Sequence, residues 1–197
     1  MTLVLGITGG MASGKTTATR MLKRPGISIF NADACAHHLM THDAKCIAVI
    51  AQHFPRAHNN GRIERSALAQ EIIRAPIALK TLENILHPRI RAREIKAINL
   101  AERNRQRMLV LDIPLLFETG AERLCDYVIA VDVSEKLQHI RAFRRAGMTQ
   151  EKYLRLRARQ LPAAQRNAYA DYVITSNLGR ANMRRQLELL LRKLCHA

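Results

Sequence analysis

Residues 6–17 read GITGGMASGKTT, and this stretch restricts the fold more than any other. Gly9-x-x-x-x-Gly14-Lys15-Thr16 matches the phosphate-binding loop pattern at every fixed position. The pattern works only where a buried strand runs into a tight loop that opens a helix. Glycines let the backbone wrap so that successive N–H groups point inward, and the helix start adds its positive end. The flanks agree: TLVLGIT reads as a buried strand and Lys15 to Lys23 as a helix. Gly9, Gly10, Met11, Ala12, Ser13, Gly14, Lys15, Thr16 and Thr17 are therefore the expected phosphate cradle. In it Lys15 reaches the β- and γ-phosphates and the Thr16 hydroxyl is placed to ligate Mg²⁺.

The rest of the chain alternates strands and helices. GISIF (26–30), RMLVLDIPLLF (107–117), DYVIAVD (126–132) and DYVITS (171–176) read as further strands with little polar alternation. That pattern predicts an α/β fold with a parallel five-stranded sheet covered by helices on both faces. From Asp33 to about Gln106 the pattern is helical, with Ile47, Ile50, Ala51 and Phe54 on one face. His87-Pro88 is expected to start a long helix, since proline suits a first turn. Arg141 to Gln160 reads as an arginine-dense helical piece broken at Gly147, and residues 181–194 as a closing amphipathic helix. The expected organisation is a nucleotide-binding core of residues 1–34, 107–133 and 166–197. A helical insertion spans 35–106 and a basic lid spans 134–165.

Composition narrows the function classes. The net charge is +16, from 32 Lys+Arg against 16 Asp+Glu, so the surface attracts polyanions. Nucleic acid and small phosphate-rich substrates both fit that charge. Aromatic residues make up only 4%, which argues against stacking on single strands. No apolar run approaches the ~20 residues of a spanning helix. The opening LVLGIT lacks a basic n-region and a cleavage site, which predicts no signal peptide and a cytoplasmic chain. Cys35, Cys46, Cys125 and Cys195 lie far apart and read as free thiols. His38 and His42 lack a third ligand and read as a surface pair.

Two carboxylates stand at strand ends. Asp33 fits either an acid that takes a proton from an attacking hydroxyl or the N-cap of the next helix. Asp112 fits either a magnesium-organising aspartate or an ordinary strand-end residue. Arg141, Arg144 and Arg145 share a helix face, as expected of a lid that closes over phosphates or of a solvated basic surface.

Taken together these stretches resemble the dephospho-coenzyme A kinase family along nearly the whole chain. The likeness is carried by LGITGGMASGKTT, NADACAHHL (31–39), HPRIR (87–91), DIPLLFE (112–118), RAFRR through Gln160, and ADYVI (170–174). The resemblance implies a P-loop kinase-type fold and transfer of phosphate from ATP, with Mg²⁺, to the ribose 3′-hydroxyl of dephospho-coenzyme A. It implies Asp33 as the catalytic carboxylate, with Lys15 and Arg141 acting on the phosphates and Arg144 beside them in the lid. His87, Arg91, Pro114, Leu115 and Glu118 would line the acceptor side, and the insertion would bind coenzyme A. The chain departs from the family at three places. Ala12 replaces a loop glycine, which matters if that position needs positive φ. Asn31 replaces the first aspartate of D-A-D. ITSNLG (174–179) replaces I-D-N-x-G, so Asn177 or Ser176 takes the Asn role near the adenine. A monomer or weak homo-oligomer without nucleic-acid or membrane partners is expected. Another nucleotide or small-metabolite kinase, and a basic nucleic-acid-binding P-loop ATPase, are the competing readings.

Overall fold

Strand β1 (Leu3–Gly9) is buried along nearly its whole length, because it has a neighbour on either side and no wet face. The computed structural model describes residues 1–195, with the side chains of Arg74, Pro76 and Cys195 left aside. After β1 come α1 (Lys15–Leu22), β2 (Ile27–Asn31), α2 (Ala32–His42) and α3 (Ala44–His53). A short hairpin of β3 (His58–Asn59) and β4 (Arg62–Ile63) precedes α4 (Arg65–Arg74) and α5 (Pro76–Arg103). Then follow β5 (Met108–Asp112), β6 (Tyr127–Asp132), α6 (Glu135–Phe143) and α7 (Gln150–Ala158). The chain closes with α8 (Ala163–Tyr169), β7 (Tyr172–Thr175) and α9 (Gly179–Cys195). The main sheet has the order β2-β5-β1-β6-β7, which is the expected five-stranded parallel α/β sheet. In its register Ile7 lies beside Asp112 on one side and Ile129 on the other.

The chain packs as two compact units, one of Met1–Phe30 with Ile98–Ala197 and one of Asn31–Ala97. In the first, Leu5 and Ile7 of β1, Val110 of β5 and Val131 of β6 bury against Ala18 and Leu22 of α1. Helix α9 adds Met183, Leu187, Leu190, Leu191 and Leu194, a spacing that keeps one apolar stripe on the sheet. Each such leucine contributes about 1.5–3 kcal/mol when fully buried. In the second unit Leu39, Ile47, Ile50, Phe54, Leu82, Ile85 and Leu86 form a separate core. The face expected for α3 is the buried one, with Ala51 packed against its edge.

Three expectations need correction. The strand expected over 107–117 ends at Asp112, and residues 114–120 wind into turns. Pro114 has no N–H to continue a ladder, and the chain instead closes with Ala121 N–H donating to the Leu116 carbonyl at 2.9 Å. The long helix starts at Pro76 and carries Pro88 inside it. Pro88 takes one N–H out of the helix ladder. Helix α5 persists because Leu82, Ile85 and Leu86 anchor the turns before it. The Arg89 guanidinium also donates to the Ile85 carbonyl at 2.6 Å, which adds a charged donor at the interruption. The break at Gly147 falls between α6 and α7 as expected, although α6 begins at Glu135 rather than Arg141. Among the described residues no helix is long and apolar enough to cross a membrane.

Asp43 caps α3 by accepting the Cys46 N–H at 3.0 Å, and Arg93 lies 3.2 Å from its other oxygen. The Cys46 N–H first, and the Arg93 guanidinium after it, hold this carboxyl below its ordinary value near 3.8. A depressed pKa gives stability that is present above the unfolded value and lost as pH falls through the folded one. Asp43→Ala is expected to lower stability by about 1 kcal/mol at pH 7. Urea denaturation at pH 7 and again below pH 3 should find that gap closing in acid, and a gap independent of pH would contradict the assignment.

Candidate active site

The loop between β1 and α1 is shaped by two glycines. A Cβ on Gly9 would lie 2.6 Å from the Ser13 Oγ and 2.7 Å from the Val131 carbonyl, so only glycine lets the loop fold back onto β6. Gly14 holds φ +100 where the chain enters α1, a left-handed value that other residues adopt at a cost. Ser13 N–H donates to the Gly10 carbonyl at 3.0 Å and closes the turn. Helix α1 then starts at Lys15, the Thr17 and Ala18 N–H groups both donate to the Gly14 carbonyl, at 2.9 and 3.0 Å, and the N–H groups ahead of them precede the helix ladder. Such an end is a ready anion site.

Lys15 pairs with the Asp112 carboxylate at the end of β5, with side chains 13% and 3% exposed. Asp112 thus stands as the ion-pair partner of the loop lysine. The residues after it are tied to β1, since Ile113 N–H donates to the Ile7 carbonyl at 3.1 Å and the Thr8 hydroxyl to the Pro114 carbonyl at 3.0 Å. Pro114 and Leu115 are half-buried there, and Glu118 is exposed. Thr16 is exposed on the first turn of α1.

Ala12 does occupy a left-handed position, with φ +60. The missing glycine therefore costs about 1–2 kcal/mol of backbone strain. The methyl group is buried against Ala142 of α6 and Tyr153 of α7, with Met11, Phe143 and Met148 around them. Apolar contact with the arginine-bearing helices offsets that strain.

Those helices grip the loop by hydrogen bonds as well. Met11 N–H donates to the Gln160 side-chain oxygen at 2.9 Å, and the Gln138 amide donates to the Met11 carbonyl at 2.9 Å. Glu118 accepts the Leu161 N–H at 2.7 Å, at the end of the same segment. Arg141 donates through Nη1 to the Ser176 hydroxyl at 2.7 Å and through Nη2 to its carbonyl at 3.1 Å. The Ser176 hydroxyl in turn donates to the Ser13 carbonyl at 2.7 Å. Ser176 is 2% exposed and engaged inside the protein, whereas Asn177 is exposed and accepts the Ser134 N–H at 2.8 Å. Arg144 is exposed.

Asn31, Asp33, His87 and Arg91 belong to the unit of Asn31–Ala97. Asn31 is the N-cap of α2, its side-chain oxygen accepting the Ala34 N–H at 2.7 Å. The capping role open to Asp33 thus falls to Asn31, and Asp33 is left exposed in the first turn after β2. His87 and Arg91 lie one turn apart on α5 and share a face. Arg91 pairs at 3.0 Å with Glu94, which is 3% exposed and pushed up from the usual carboxylate range by burial, with Arg91 opposing. His38 and His42 stack with ring centroids 4.9 Å apart, and among the described residues no cluster of three or more His, Cys, Asp or Glu could hold a metal. Cys35, Cys46 and Cys125 are thiols and not halves of disulfides, and the Cys195 side chain lies outside the described residues. Gln138, Gln160 and Glu94 are not singled out by the sequence. Each acts through burial or a single long-range hydrogen bond, for which residue spacing gives no signal.

A parallel sheet with a glycine loop between its central strand and the first helix is the architecture of the P-loop kinases. The sequence model of the CoaE dephospho-CoA kinase family matches residues 3–182. A dephospho-CoA kinase of Brucella melitensis is 37% identical over 185 residues, covering 94% of this chain and 92% of that one. Among solved structures, TT1252 from Thermus thermophilus superposes with a TM-score of 0.81 at 28% identity, over 98% of each chain. The dephospho-CoA kinase from Campylobacter jejuni shares the fold, with a TM-score of 0.74 at 24% identity over 100% of this chain and 98% of that one. The chain belongs to the dephospho-CoA kinase family.

Ser176→Ala removes the hydroxyl that joins Arg141 to the Ser13 carbonyl. The expected loss is about 1–3 kcal/mol of stability, since buried polar groups lose a partner. Thermal unfolding checks it, and an unchanged midpoint would show that the bridge does not hold the loop.

Proposed function

We propose that this protein transfers the γ-phosphoryl group of ATP to the ribose 3′-hydroxyl of dephospho-coenzyme A, giving coenzyme A and ADP. The observation that carries the reading is the family match over residues 3–182, joined to a loop whose glycines, helix start and half-buried lysine suit a triphosphate. In the transfer a bond forms between the 3′-oxygen and the γ-phosphorus, and the bond from that phosphorus to the β,γ-bridging oxygen breaks. Asp33 takes the proton of the attacking hydroxyl. Residues Gly9–Thr17 hold the phosphate chain through main-chain N–H groups. Lys15 exchanges its Asp112 partner for phosphoryl oxygens and stabilises the charge that spreads over them.

Thr16, exposed on the first turn of α1, would hold Mg²⁺, which would neutralise charge on the phosphates. Arg141 and Arg144 act from the lid, residues 134–165. Asn177 serves the adenine side, because Ser176 is committed to Arg141 and the loop. His87 and Arg91, in an insertion of residues 35–106, serve the acceptor together with Pro114, Leu115 and Glu118, which belong to a core of 1–34, 107–133 and 166–197. The excess of basic side chains suits two polyanionic substrates. We assign the activity to the cytoplasm and to a monomer or weak homo-oligomer.

The test offers purified protein Mg-ATP with dephospho-coenzyme A, AMP, other nucleosides or shikimate-like alcohols and follows ADP release. Dephospho-coenzyme A should be strongly preferred, and ADP release independent of every acceptor would refute the kinase reading. Lys15→Met should lower turnover at least ~10³-fold, and the Lys15→Met/Asp112→Asn double variant separates lost chemistry from the instability of a carboxylate stripped of that cation. Asp33→Asn should depress kcat far more than ATP affinity, measured by a coupled assay beside nucleotide titration. Equal loss in both would return Asp33 to a structural role.

A further inference from the structure

Arg166 on α8 has no part in the roles assigned above. Its side chain is only 7% exposed, as little as a core leucine. Burying a guanidinium is costly unless its donors are matched by close acceptors. Here the matches are long: Nη2 lies 3.6 Å from the Asp132 carboxylate and Nη1 donates to the Leu161 carbonyl at 3.4 Å. The Nε–H is buried with no partner. Burial pulls the guanidinium down from its usual range, while Asp132 and Glu118 pull the other way.

The location gives this imbalance a meaning. A Cβ placed on Gly10 would stand 3.4 Å from both terminal nitrogens of Arg166, so the guanidinium sits directly against the phosphate loop. The same Cβ would be 2.6 Å from the Gln138 amide, so a bare Gly10 is what lets both side chains approach. Leu161, whose carbonyl Arg166 reaches, is also the residue whose N–H is held by Glu118, and Gln160 before it holds Met11. A buried cation with underused donors therefore sits where the loop meets the end of the lid.

We propose that Arg166 is a phosphate-binding residue of the active site, whose unmatched donors are completed by phosphoryl oxygens of the bound nucleoside triphosphate. This rests on the ATP-binding reading above. A planar fork of N–H groups suits such oxygens, and charge-assisted bonds of this kind are the strong ones. By taking phosphate oxygens while keeping the Leu161 carbonyl, Arg166 joins occupancy of the loop to the position of residues 160–161.

The experiment titrates full-length wild type, Arg166→Gln and Arg166→Lys with ATP, ADP and AMP by calorimetry, without acceptor. Arg166→Gln is expected to weaken ATP at least ~10-fold and to change AMP less than ~2-fold, since only the outer phosphates lose a partner. Its kcat should fall more than its acceptor KM rises. Arg166→Lys keeps the charge without the fork and should fall between. Equal loss for ATP and AMP, or unchanged ATP affinity, would overturn the proposal and leave Arg166 a structural residue. If circular dichroism finds Arg166→Gln unfolded, the Arg166→Lys series decides alone, with a selective loss of at least ~3-fold for ATP supporting the assignment and none overturning it. A wild type that binds ATP but does not phosphorylate dephospho-coenzyme A would sink the proposed function and leave the titration comparison standing. A wild type that binds no ATP would sink both.

Discussion

A nearly buried ammonium held against a buried carboxylate, Lys15 on Asp112, organises the phosphate-loop end of this protein. Two charges withdrawn from water recover only part of their hydration from each other. The pair fixes the first turn of α1 against the end of β5, and β1 between them supplies the glycine loop. Its energetics also explain how the loop can serve a polyanion. A lysine that is incompletely compensated by one carboxylate gains from meeting phosphoryl oxygens. The same logic applies to Arg166, whose acceptors are more distant still.

Around that pair the loop is held by side chains remote in sequence. Ser176 takes the Ser13 carbonyl, Gln160 and Gln138 take the two polar groups of Met11, and Ala12 is pressed into an apolar cluster with α6 and α7. The lid segment is therefore bonded to the loop it is proposed to cover. Strain at Ala12 and close packing at Gly9 and Gly10 belong to one design, in which the main chain is shaped first and the donors follow.

Much of this was legible in the sequence where the signal is local. Glycine spacing, an unbroken aliphatic strand and a helix start identify the loop and the parallel sheet, because each constraint acts over a few residues. The tie between Lys15 and Asp112 was not legible, since it joins residues whose side chains meet only once β1 and β5 pair. Position alone left Asp33 between two roles, and the cap at Asn31 removes one of them. Pro88 misled because a helix held by Leu82, Ile85 and Leu86 tolerates a proline that local preference reads as a start. The strand expected to reach Phe117 failed for the opposite reason, as apolar residues beyond Pro114 pack in turns. Arg166 gave no signal in a region rich in arginine, where only burial sets it apart.

The central claim is that the first loop of this chain presents a phosphoryl group to a ribose hydroxyl of a coenzyme precursor. It is tested most directly by supplying ATP labelled with ¹⁸O in the γ-phosphoryl group together with dephospho-coenzyme A and locating the label by mass spectrometry and ³¹P NMR. A labelled phosphate ester at the 3′-position with equimolar ADP is the expected result. Label recovered only as inorganic phosphate, with the coenzyme precursor unchanged, would contradict it.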